Sequence, residues 1–257
     1  MPESDILIRT EQLTKSFAGF LAVREVSLAV KRGTIHALIG PNGAGKTTFF
    51  NLLTRFLPAS GGRIVYKGRD ITRTAPYEVA RMGIVRSFQI SAVFPHLTVL
   101  ENVRVALQRF RTDSYFFWRS DTVLNELNGA ALALLGEVGL ESDADRPAAE
   151  LPYGRKRALE VATTLALDPE LLLLDEPTSG MGHEDIGPIV ALIRRIAAKR
   201  TILMVEHNLS VVADLSDRIT VMQHGEILAD GTYDEVSTNP AVVEAYLGAA
   251  HVRDAHV

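Results

Sequence analysis

The stretch GPNGAGKTT, Gly40 to Thr48, constrains this chain more than any other. It fits G-x-x-x-x-G-K-[ST], a pattern that has meaning only between a strand and a helix. Both flanks are present. TIHALIG is a short apolar run, and after the loop Phe49, Leu52, Leu53 and Phe56 recur at helical spacing. Such a loop, through Gly40, Pro41, Asn42, Gly43, Ala44 and Gly45, turns its backbone N–H groups inward around phosphate oxygens. Lys46 is expected to reach the β- and γ-phosphates and the Thr47 hydroxyl to ligate Mg²⁺, with Thr48 beside it in the first helical turn. The helix itself points its positive end at the same anion.

The rest of the chain suits a phosphate-binding α/β domain. Its 257 residues are enough for a large core, and 47% are apolar, which excludes global disorder. A net charge of −4 argues against a protein that wraps nucleic acid. Without cysteine there is no disulfide framework and no thiolate zinc site. The N-terminus MPESDILIRT has no secretory pattern, and no apolar run approaches the ~20 residues that span a bilayer.

ILIRTEQLTKSF and VREVSLAV read as opening strands, RIVYKG as another, LLLLDEP and TILMVEH as buried strands, and RITVMQHGEILADG as a hairpin. From about Pro76 to Pro169 the pattern is mainly helical, and the last thirty residues also look helical. Alternating strands and helices predict a mostly parallel sheet flanked by helices, with an antiparallel β addition and an inserted helical lobe. We expect one domain over 1–257, with a catalytic core at about 1–88 and 168–257 and a helical lobe at about 89–167.

Two strands end in charge. Asp175 and Glu176 follow four leucines, and ligands of open α/β sheets gather at the carboxyl ends of strands. Asp175 is therefore expected to hold Mg²⁺, directly or through water, and Glu176 to polarise an attacking water. TILMVEH brings Glu206 and His207 to the same edge, with His207 near the γ-phosphate. LPYGRKR then sets Arg155, Lys156 and Arg157 in the first turn of a helix, where cations oppose the helix dipole by roughly 0.3–1 kcal/mol each.

Taken in order, GPNGAGKTT, Gln89 in RSFQ, LPYGRKR, LLLLDEP and VEH resemble the ATP-binding cassette proteins, over nearly the whole chain. The resemblance implies two cassettes sandwiching two ATP molecules, each presenting a signature helix to the partner's γ-phosphate. Leu151, Pro152, Tyr153, Gly154 and Arg155 are then the signature, acting in trans, and the first-turn cations border the partner's nucleotide. Phe17 matches the aromatic that stacks on adenine, with Val23 packing nearby; core filling on an edge strand is the competing role. Gln89 matches the glutamine that links Mg²⁺ and water to the helical lobe. The chain departs from the family in two places. Pro152 replaces a serine, and Ser179, Gly180, Met181 and Gly182 lack the carboxylate of the usual S-A-L-D loop.

RSFQ followed by FPHLTVLENV, the tyrosine of LPYG, DEPTSGMG and the ending GTYDEVSTNPAVVEAYLG look like the subunits that energise uptake of branched-chain and other hydrophobic amino acids. Urea and short-amide uptake systems and the lipopolysaccharide exporter's ATPase are similar in the same places. The resemblance implies ATP and Mg²⁺ as cofactors, a second ATPase subunit, two transmembrane permease subunits and, indirectly, a periplasmic substrate-binding protein. It places the chain on the cytoplasmic face of the inner membrane. The aromatic stretch RFRTDSYFFWRS, 109–120, suits either a partner surface or packing within the lobe. The rival class is an ATP-gated DNA clamp, disfavoured because no sustained heptads separate the phosphate loop from the signature.

Overall fold

The computed structural model describes residues 5–87, 93–108 and 125–246. Its strands are β1 (Ile6–Phe17), β2 (Phe20–Val26), β3 (Ala29–Lys31), β4 (Ile35–Ile39), β5 (Gly61–Tyr66) and β6 (Arg69–Asp70). They continue with β7 (Ile84–Ser87), β8 (Leu171–Asp175), β9 (Thr201–Val205), β10 (Arg218–Gln223) and β11 (Glu226–Gly231). The helices are α1 (Lys46–Leu53), α2 (Pro76–Arg81), α3 (Val99–Leu107) and α4 (Asn128–Val138). After these come α5 (Tyr153–Leu165), α6 (His183–Ala197), α7 (Leu209–Leu215) and α8 (Tyr233–Ser237).

The main sheet has the order β11-β10-β4-β9-β8-β7. Every pairing from β10 to β7 is parallel, and only β11 runs antiparallel at one edge. The remaining strands form an antiparallel sheet with the path β2-β1-β5-β6, to which β3 adds by pairing with β1. The sequence expectation of a parallel core with an antiparallel addition therefore holds.

Periodicity explains why the central strands sit where they do. β4, β8 and β9 are buried at every residue, as expected of strands covered on both faces. Their side chains alternate between two cores. Ala37, Leu172, Leu174 and Met204 join the core shared with α3, α4, α5 and α6, whereas Leu38, Leu171, Leu173 and Leu203 join the core shared with α1 and the antiparallel sheet. Register then levels the functional ends. Leu38 lies opposite Val205, and Val205 opposite Asp175, so the exits of β4, β9 and β8 form one edge.

One element departs from the sequence reading. Within the stretch expected to be mainly helical, Ile84–Ser87 is a strand, paired in parallel with Leu171–Leu174. No described helix is long and apolar enough to cross a membrane.

Candidate active site

The loop after β4 is wedged between neighbouring backbones. Gly40 has φ 148°, and a Cβ there would stand 2.1 Å from the carbonyl oxygen of Met222 in β10. At Gly45, which caps α1 with φ 99°, a Cβ would meet the Ala22 carbonyl at 2.4 Å. Only glycine tolerates both the dihedral and the approach. The turn after β10 closes the wedge, with the Gly225 N–H donating to the Ala44 carbonyl at 3.0 Å. Tyr246 meets the loop at the Gly40 backbone. Burial pushes its hydroxyl up to about 12, partly offset by a hydrogen bond from the Gly40 backbone.

Lys46 is buried, and its ammonium donates to the carbonyls of Gly40 at 2.7 Å and Pro41 at 3.0 Å. Burial lowers its pKa, while Glu176 and Asp175 oppose that shift. The lysine thus ties the loop to itself and sits within the field of both strand-end carboxylates. Thr47 is exposed and Thr48 half-buried, with Pro41 half-buried and Asn42 and Gly43 exposed on the loop's outer side.

Asp175 is almost fully buried at the end of β8. One oxygen pairs with Arg86 of β7; the other, Oδ1, has no hydrogen-bond partner among the described residues. Buried carboxylate oxygens are normally satisfied, and hard divalent cations with their waters satisfy such oxygens well. The donor set therefore fits Mg²⁺. Arg86 in turn donates to Asn51 Oδ1 at 2.5 Å and lies 5.7 Å from the Phe50 ring centroid, joining α1 to β7 and β8. Neither Arg86 nor Asn51 was singled out by sequence reasoning. An arginine inside a buried strand would have flagged an ion pair, had IVRS been read as a strand.

Glu176 follows with φ 47°, a left-handed conformation that non-glycine residues seldom adopt. Its Oε1 lies 2.9 Å from His207 Nε2. The adjacent strands β8 and β9 thus deliver the two residues to one point, as their parallel pairing requires. Glu206, by contrast, does not face the site. Its carboxylate is buried and turned inward, because backbone and hydroxyl donors surround it there.

Phe17 ends β1 and is 43% exposed, with the Lys15 ammonium 5.0 Å from its ring centroid. An exposed ring of this kind can stack on a base. Val23 cannot reach a ligand in this conformation: it is fully buried in the core beneath the antiparallel sheet. Gln89 and the aromatic stretch 109–120 lie outside the described residues.

The signature turn is more self-contained than its charges suggest. Pro152 caps α5 with no side-chain acceptor, so the N–H groups of Tyr153, Gly154 and Arg155 are left at the helix end. Leu151 is buried beneath them, and the exposed Tyr153 donates its hydroxyl to the Ser179 carbonyl at 3.1 Å. The cations, however, are matched within the chain. Arg155 pairs with Asp143, and buried Arg157 reaches Glu160 at 2.6 Å and the Asp175 carbonyl at 3.2 Å. The expectation that all three border a partner's anion is corrected for Arg157, which is buried against β8; Arg155 remains exposed at the helix start with Asp143 beside it. Asp143 from outside the helix and Glu160 from the next turn of α5 offset the two cations at the helix start.

Comparison with known proteins agrees with this geometry. A family model described as ABC transporter matches residues 23–179, and one described as Branched-chain amino acid ATP-binding cassette transporter matches residues 226–252. The chain is 38% identical over 254 residues to the high-affinity branched-chain amino acid transport ATP-binding protein BraF of Pseudomonas aeruginosa, covering 95% of this chain and 98% of the relative. It is likewise 38% identical over 254 residues to the corresponding protein LivG of Escherichia coli, covering 96% of this chain and all of that one (100%). A solved nucleotide-free ATP-binding cassette from an ABC transporter is similar, with TM-score 0.82 and 31% identity over 94% of this chain and 98% of that one. An ABC transporter cassette in its ADP conformation gives TM-score 0.83 and 31% identity over 95% of this chain and 99% of that one. The chain belongs to the ATP-binding cassette family, in the group of the branched-chain amino acid transport ATPases.

Proposed function

We propose that this chain hydrolyses ATP to energise an importer of branched-chain or other hydrophobic amino acids. The observation that carries the chemistry is the 2.9 Å contact between Glu176 and His207, level with Asp175 and the phosphate loop. The names of the relatives support the substrate class.

In this reading the phosphate loop receives the β- and γ-phosphates, and Lys46 exchanges its bonds to Gly40 and Pro41 for phosphate oxygens. Phe17 stacks on adenine. Mg²⁺, held by Thr47 and Asp175 with Gln89 through water, would supply charge neutralisation at the transferring phosphoryl group. Glu176 accepts the proton of the attacking water, and His207 Nε2 steadies the Glu176 carboxylate and the water in line with the γ-phosphorus. The bare N–H groups at Tyr153, Gly154 and Arg155 face the nucleotide of a second ATPase subunit. Two transmembrane permease subunits take up the motion at the cytoplasmic face of the inner membrane, fed by a periplasmic substrate-binding protein.

Steady-state phosphate release tests the chemistry. With magnesium present we expect turnover that falls by at least ~100-fold in Glu176→Gln with ATP still bound, and loss of ATP retention in Lys46→Ala. Equal turnover in all three proteins would refute the assignment. Leucine uptake by vesicles holding the chain with its permeases tests the substrate class.

A further inference from the structure

We infer that Glu206 is a positioning residue for the ATPase reaction, the group that fixes Glu176 and His207 against each other. This rests on the hydrolytic reading above. Glu206 follows β9 directly, and its side chain is 3% exposed. Oε1 accepts the Thr178 N–H at 3.0 Å and the Thr178 hydroxyl; Oε2 accepts the N–H groups of His207 at 2.7 Å and Asn208 at 2.9 Å. One carboxylate therefore ties the turn that carries Glu176 to the turn that carries His207, with two donors on each oxygen.

The tie is needed because the Glu176 turn is strained. A glutamate at φ 47° costs on the order of 1 kcal/mol and persists only where its surroundings over-determine it. On one side Glu176 is held by the ladder, its N–H donating to the Val205 carbonyl at 2.9 Å. On the other side the Thr178 bonds to Glu206 fix the turn two residues later. The strands β8 and β9 bring the residues near one another, and the carboxylate sets their final offset.

Glutamine at 206 keeps the shape and removes the function. An amide offers one oxygen and an NH₂ group: turned toward His207 and Asn208, the NH₂ faces two backbone N–H donors; turned toward Thr178, it can donate to the rotated hydroxyl but leaves the Thr178 N–H facing amide hydrogens. The His207 turn or the Thr178 turn must then shift. Displacements approaching 1 Å at a catalytic pair can cost as much as ~100-fold in rate.

The test compares wild type, Glu206→Gln and Thr178→Val in magnesium-dependent phosphate release and in ATP affinity measured by equilibrium dialysis. We expect kcat to fall about 30-fold in Glu206→Gln and several-fold in Thr178→Val, with ATP affinity within about two-fold of wild type in both. We also expect Glu206→Gln to have no further effect in a His207→Ala background, since its action passes through that pair. Unchanged kcat, or equal losses of affinity and rate, would overturn the inference. If Glu206→Gln does not fold, Thr178→Val decides on the same criteria. A wild type that does not hydrolyse ATP refutes the hydrolytic reading itself, a result distinct from a competent wild type matched by both variants.

Discussion

His36 shows how a single residue can make the stability of this sheet depend on pH. It lies in β4 with no exposed surface; Nε2 is 2.7 Å from the Thr220 hydroxyl, and Nδ1 has no partner among the described residues. Burial lowers its pKa to about 4, against an attraction from Asp230 and together with a repulsion from Arg218. The folded value lies below the unfolded one of about 6.5, so the unfolded chain takes up the proton first as pH falls. Stability is then complete above pH ~6.5 and declines toward pH ~4, by about 2 kcal/mol already at pH 5 from this group. Urea unfolding at pH 7.5 and pH 5 should show that decline, and His36→Leu should remove most of it. Identical slopes in the two proteins would assign the effect elsewhere. Residues of this kind mark the limit of sequence reading. TIHALIG announces a buried strand, but that His36 is neutral follows only from its neighbours across β10. Glu206 is a parallel case: its place after a strand was legible, its inward turn was not.

At the scale of elements, α5 is fastened to β8 through Arg157. That guanidinium and its partner Glu160 are both buried, and Arg157 also reaches the carbonyl of Asp175. Removing one member of a buried pair strands the other's charge, at about 3–5 kcal/mol. We therefore expect Arg157→Met to lower unfolding free energy by about 3 kcal/mol in urea, with the Arg157→Met, Glu160→Met double variant less damaged than the sum of the singles. Arg155→Ala serves as the contrast. Its pair with Asp143 is half-exposed on the arginine side, and its loss should stay within ~1 kcal/mol. Equal losses at the two positions would refute the division. In the sequence these arginines look alike, two residues apart in one charged turn. Their fates diverge because helical geometry sends one toward β8 and the other toward the lobe surface. β7 was missed for a related reason. Ile84 and Val85 are only two apolar residues between Gly83 and Arg86, too few to show a period, and the strand exists through its pairing with β8.

Across the whole molecule, the phosphate loop, the strand-end carboxylates and the parallel sheet were legible because each has a local signature. The cohesion of the lobe with the sheet was not. Val99 and Val103 of α3, Leu135 of α4 and Leu159 of α5 belong to the same apolar core as Leu172, Ile193 and Met204. A lobe that shares its core with the central sheet has no separate hydrophobic interior to fold around. The boundaries expected near 89 and 167 do not divide that core. We thus expect a single calorimetric transition with the van't Hoff and calorimetric enthalpies equal. Leu159→Ala, at a fully buried lobe position, should lower the unfolding free energy of the whole molecule by about 2–5 kcal/mol and move that one transition intact. A second, earlier transition split off by the substitution would mean that α3, α4 and α5 melt while the sheet persists. The lobe would then count as an independent folding unit, and its contact with Leu172 and Met204 as a docking surface between units.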